Sequence, residues 1–171
     1  DTQEMQALLI NKFGFNQDNI TIVTGKDATR DNIKNSLYKT LTQEADYNSR
    51  VLVFFAGHGV QQETKSGGQI GYLLPFDGDP ESPYTTAYAM TELKQLTQIS
   101  EAKHIVFLSD ACYGGLAAEG TRGGLDVSTP GYLDKITRDN ARHIITAGGA
   151  GEEVAEKFEW GSSAFMKSLK S

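Results

Sequence analysis

The chain has 171 residues, enough for one domain with a substantial core. Its 16 basic and 22 acidic side chains leave a formal net charge of −6, which argues against nucleic acid as the main partner, because phosphate binding needs a basic face. No apolar run reaches the roughly 18 residues of a membrane-spanning helix, and a single cysteine excludes an internal disulfide framework or a cysteine-rich zinc site. The lone cysteine also points to a reducing compartment, so a cytoplasmic location is expected. Because the chain opens directly on one helical pattern and stops on another, it reads as a piece of a longer protein with further domains.

In chain order, Asp1–Phe13 predicts an amphipathic helix with Met5, Leu8, Leu9 and Phe13 on one stripe and Gly14 as its stop. Ile20–Thr24 is β-branched and predicts a short strand. A second helix is expected from an N-cap at Thr29 to Ala45, with Ile33, Leu37, Leu41 and Ala45 at every fourth position. After a polar connection over Asp46–Arg50, Val51–Ala56 is uniformly apolar, the mark of a strand buried on both faces of a parallel sheet. Gln61–Gln69 is polar, holds Gly67 and Gly68, and reads as a mobile loop. Tyr72–Leu74 resumes strand character, and Pro75–Pro83 is a loop. Thr91 is expected to cap a short helix with Leu93, Leu96 and Ile99 inward. His104–Leu108 predicts a second buried strand, and Gly114–Gly131 an aperiodic loop rich in glycine, serine and threonine. Arg142–Thr146 predicts a third buried strand, followed by the small residues Ala147–Gly151, and Ser163 starts a last helix. Strands alternating with helices in this way give an α/β fold, a mostly parallel sheet with helices on both faces.

Ligands of such sheets bind at the carboxyl ends of the strands, where His58, Cys112 and Ala147–Gly151 all fall. His58 lies between Gly57 and Gly59; Cys112 is followed closely by Gly114 and Gly115. A thiol is a poor nucleophile until it loses its proton, and an ordinary cysteine titrates near ~8.5. A histidine within reach takes that proton and later returns it to a leaving amine. The developing oxyanion needs backbone donors, for which the N–H groups of Gly59 and Cys112 are the candidates. A lone cysteine is more often inert and buried, and a lone histidine is often a loop residue. The two coincide here, each directly after an apolar strand and each among small residues. His104 and His143 lie instead at strand starts, where a structural role is expected. Asp110 precedes Cys112 by two positions; along an extended strand end, side chains two apart share a face.

The apolar strand ending in His58-Gly59, followed at this interval by the apolar strand ending in Asp110-Ala111-Cys112, resembles the caspase-like cysteine peptidases, and most nearly their metacaspase and prokaryotic orthocaspase branch. The resemblance extends to the first helix, to LLPFD at Leu73–Asp77 and to IITAGG at Ile144–Gly149. It implies one partial peptidase domain over residues 1–171. Residues 1–113 correspond to the large subunit, 114–131 to the linker, and 132–171 to the start of the small subunit, with the first sheet strand and most of the small-subunit region lacking. Where many relatives carry a serine, this chain has Gly114, which still permits the turn.

The resemblance further implies that Asp110, with Asp1, lines a pocket for arginine or lysine before the cut bond. It implies self-cleavage in the linker, where Arg122 is the only basic residue. It also brings calcium into view as an activator, with Asp77, Asp79 and Glu81 as weak carboxylate candidates; the chemistry itself requires no cofactor. The implied activity is a cysteine endopeptidase acting on protein or peptide substrates. The rivals are a catalytically silent caspase-like scaffold and a nucleotide-binding α/β domain. The latter is disfavoured, because neither a Walker A loop nor a G-x-G-x-x-G fingerprint opens the first helix.

Overall fold

The computed structural model describes residues 1–66, 68–111, 141–147 and 163–170. Helix α1 spans Thr2–Phe13 and α2 spans Arg30–Lys39. Then come β1 (Arg50–Ala56), β2 (Gly59–Glu63), β3 (Gln69–Leu73), a single turn α3 (Pro83–Thr86), β4 (Tyr88–Ala89) and α4 (Met90–Ile99). Strands β5 (His104–Asp110) and β6 (Ala141–Thr146) and helix α5 (Ala164–Lys170) follow. β1, β5 and β6 form a parallel sheet with β5 in the middle, and β2, β3 and β4 form a small antiparallel sheet.

The alternation of side chains along a strand decides which helix each residue meets. Leu52 and Phe54 of β1, with Val106 and Leu108 of β5, pack against Met5 and Leu9 of α1 and Met166 of α5. The intervening residues Val51, Val53, Phe55, Ile105 and Phe107 face the other way, onto Leu37 of α2, Leu41, and Leu93 and Leu96 of α4. The parallel sheet is therefore covered on both sides, as its apolar strands require. A leucine deleted from either layer is expected to cost about 2–5 kcal/mol.

Burial on both faces is complete only for the central strand. From Phe107 onward every residue of β5 is buried, whereas β1 is half-buried and β6 exposes His143 and Ile145. Position explains this: β5 has a strand on either side, while β1 and β6 each have one neighbour among the described residues. Ile20–Thr24 is not a strand. Ile20 and Thr24 have extended backbones, but the segment pairs with no strand among the described residues. Gln61–Gln69 is a loop only in its middle: Gln61–Glu63 belong to β2 and Gln69 to β3, a hairpin with Gly59 opposite Leu73 and Glu63 opposite Gln69.

Helix α1 stops where expected, with Gly14 in the left-handed region at φ 69°. Its stripe buries Met5 and Leu9, but Phe13 is exposed. Helix α2 begins as expected, the Thr29 hydroxyl accepting the N–H of Asn32 at 3.3 Å. Its regular turns end at Lys39, and a wider π-type turn over Thr40–Glu44 carries the fully buried Leu41, whose carbonyl accepts the Ser100 hydroxyl at 2.5 Å. The N-cap position of α4 falls on Ala89 rather than Thr91, with no side-chain capping bond, because the helix leaves β4 directly. Ile99 is exposed: two three-residue steps carry it about 120° around the helix from Leu93. No helix among the described residues is long and apolar enough to cross a membrane.

Candidate active site

The parallel register pairs Arg50 with His104 and continues without a bulge to Ala56 opposite Asp110. Every pair is separated in sequence by the same interval that separates His58 from Cys112. The ladder reaches one step further, the N–H of Gly57 donating to the Asp110 carbonyl at 3.2 Å. A Cβ on Gly57 would lie 3.0 Å from the Phe55 ring, so the small residue allows the chain to turn tightly there. His58 follows, solvent-exposed, at the junction between the parallel sheet and the hairpin. Cys112 and Arg122 lie outside the described residues, as do Gly114–Gly131 and most of the small-residue segment after Thr146.

The hairpin orients Gly59. Leu74 donates its N–H to the His58 carbonyl at 2.9 Å, which makes this the hydrogen-bonded pair of the antiparallel ladder. Exchange pairs alternate with non-exchanging ones, so at the next pair, Gly59 with Leu73, the N–H groups point outward. The Gly59 N–H is thus directed away from β3, toward the outer edge of β2, immediately after His58.

Asp110 shares the strand parity of Val106 and Leu108, so it faces α1 and α5. It is 6% exposed. The hydroxyl of Ser163, the residue before α5, donates to Asp110 Oδ2, and the N–H of Ser163 donates to Asp1 Oδ1 at 3.2 Å. Asp1 occupies the N-cap of α1, yet its side chain makes no capping bond to that helix; one carboxylate oxygen reaches Ser163 instead. The structure therefore brings Asp1 and Asp110 onto a single residue. Ser163 was legible only as a helix start, since nothing in a linear pattern announces partners so distant.

Among the acidic residues of the Pro75–Pro83 loop, Asp77 Oδ1 accepts the N–H of Arg30 at 2.8 Å, and Asp79 Oδ1 accepts the N–H of Glu81 at 3.0 Å. Both are turn- and helix-closing bonds. Among the described residues no three His, Cys, Asp or Glu side chains stand together as metal ligands. His104 does begin β5; His143 is the third residue of β6 and exposed.

Set beside known families, residues 1–171 match the caspase domain of peptidase family C14 from end to end. The chain belongs to the caspase-domain family of cysteine peptidases, enzymes whose substrates are proteins. A search of curated proteins returns no match.

Proposed function

We propose that the protein is a cysteine endopeptidase of the metacaspase type that cuts after arginine or lysine. His58 takes the proton of the Cys112 thiol, and the thiolate attacks the scissile carbonyl to form a tetrahedral adduct. The N–H groups of Gly59 and Cys112 receive the oxyanion. His58 gives its proton to the leaving amine, and an acyl-enzyme thioester remains. Water, deprotonated by His58, then hydrolyses that thioester and restores the thiol. No cofactor enters these steps. The carboxylates of Asp110 and Asp1 bind the guanidinium or ammonium group of the residue before the cut.

The observation that carries this reading is the convergence of Asp1 and Asp110 on Ser163 beside the carboxyl end of β5. Two carboxylates held together on the α1–α5 side of the sheet suit a cationic side chain and repel an acidic one. Self-cleavage after Arg122 belongs to the same proposal and predicts a new N-terminus at Gly123, absent in Cys112→Ala.

The test is covalent. A peptidyl ketone with a leaving group and arginine at its reactive end should label Cys112, and the adduct is located by mass spectrometry. An aspartyl counterpart should label it far more slowly. Absence of labelling at Cys112 by either reagent would indicate a silent scaffold.

A further inference from the structure

We infer that Ser163 is a positioning residue for substrate recognition, holding the Asp110 carboxylate in the orientation that makes arginine a better substrate than lysine. The inference rests on the proposed basic specificity and deepens it.

A hydroxyl has one proton to donate. That of Ser163 goes to Asp110 Oδ2, while its oxygen accepts the N–H of Met166 at 3.1 Å. The second bond occupies a lone pair of the hydroxyl oxygen and holds that oxygen in place, which restricts the direction of the first. Ser163 is 2% exposed, so water does not compete for either bond. Its backbone N–H is committed separately, to Asp1. One residue thus donates to both carboxylates, through its side chain to one and its main chain to the other. A neutral pair of donors between two acidic groups offsets part of their repulsion and sets their spacing.

The consequence differs between the two basic side chains. Arginine presents a planar fork of donors that rewards a fixed carboxylate plane, whereas lysine presents a compact charge with freely rotating donors. Loss of the Ser163 hydroxyl leaves the charge of Asp110 in place and removes the bond that Ser163 contributes to holding its plane. Arginine recognition should therefore suffer more than lysine recognition.

The experiment compares matched arginine and lysine peptides on the whole protein and its Ser163→Ala and Ser163→Thr variants. Ser163→Ala should lower kcat/KM for arginine about tenfold, mainly through KM, and for lysine by no more than about threefold. Ser163→Thr keeps the hydroxyl and should restore the arginine preference. If Ser163→Ala is poorly folded, Ser163→Gly serves, since glycine disturbs a helix start little. Equal losses for both peptides, or no loss, in a folded variant of a wild type that cleaves after arginine would overturn the role of Ser163 alone. A wild type that turns over other peptides but neither of these would overturn the basic specificity and this inference with it.

Discussion

The N–H of Gly57 donates to the carbonyl of Asp110 at 3.2 Å, so the parallel ladder between β1 and β5 ends one residue short of His58. The register holds through Ala56 opposite Asp110, each two positions before a candidate catalytic residue, and His58 and Cys112 are separated in sequence by the register's interval. Members of a catalytic pair act as a unit. Cys112→Ala and His58→Ala should each abolish peptide cleavage, and the double variant should be no worse than either. Steady-state rates on one arginine peptide decide this. Because His58 is exposed, its replacement should leave the melting temperature nearly unchanged.

Asp110 has both a charge and a structural bond, and the two are separable. Asp110→Asn keeps an acceptor for the Ser163 hydroxyl and removes the charge. It should fold and lose roughly 10- to 150-fold in kcat/KM on arginine and lysine peptides, the worth of a charge-assisted bond. Asp110→Ala leaves the buried hydroxyl without its acceptor and should also lose about 1–3 kcal/mol of stability. Denaturant unfolding of the two variants side by side distinguishes these effects. Equal stability of both would show that the Ser163 bond contributes nothing.

The acceptor role of Asp77 gives a stability prediction. Its carboxylate closes the first turn of α2 together with Thr29. Asp77→Ala should cost about 1 kcal/mol, as the loss of a capping acceptor does, and Asp77→Asn less. Calcium should not shift the melting temperature through this loop, because Asp77 and Asp79 each hold a backbone N–H rather than converge. A calcium-induced rise that disappears in Asp77→Asn would contradict this and establish the loop as a cation site.

Tyr88 governs part of the alkaline limb. Burial, reinforced by the nearby charge of Glu92 and opposed by Arg30, pushes its phenol up to about 12. An unfolded tyrosine titrates near ~10. Below that pH the phenol is protonated in both states, so its full contribution is present. Between about 10 and 12 the unfolded chain releases the proton and the folded one keeps it, and stability falls. Tyr88→Phe should flatten this decline while leaving neutral-pH unfolding little changed. Urea midpoints measured from pH 8 to 11 test the slope.

Much of this arrangement could be read from residues in line. Val51–Ala56 and Ile105–Leu108 are apolar without interruption, and that alone required a parallel sheet with covered faces. Alternation then put Asp110 on one definite side. The β2–β3 hairpin escaped notice because Gln61, Gln62, Glu63 and Gln69 are polar; its pairing uses the main chain, whose donors and acceptors are the same at every residue. Ile20–Thr24 misled for the opposite reason. Its β-branched side chains favour extension, but a strand needs a partner, and propensity does not supply one. Ser163 shows a third limit. Its position before an apolar turn signals a helix start, whereas its bonds to Asp110 and Asp1 depend on the packing of α5 beside α1. That packing is reinforced by the Lys170 ammonium, 2.7 Å from the Glu4 carboxylate.

The central claim is that a Cys112–His58 pair cuts after a basic residue bound by Asp110 and Asp1. It is tested most directly by a peptide panel that varies only the residue before the scissile bond. The panel is run on the wild type and on Cys112→Ala, with products identified by mass spectrometry. The account predicts cleavage after arginine and lysine alone, and none by Cys112→Ala. A preference for aspartate at that position, or cleavage that persists without the Cys112 thiol, would contradict it.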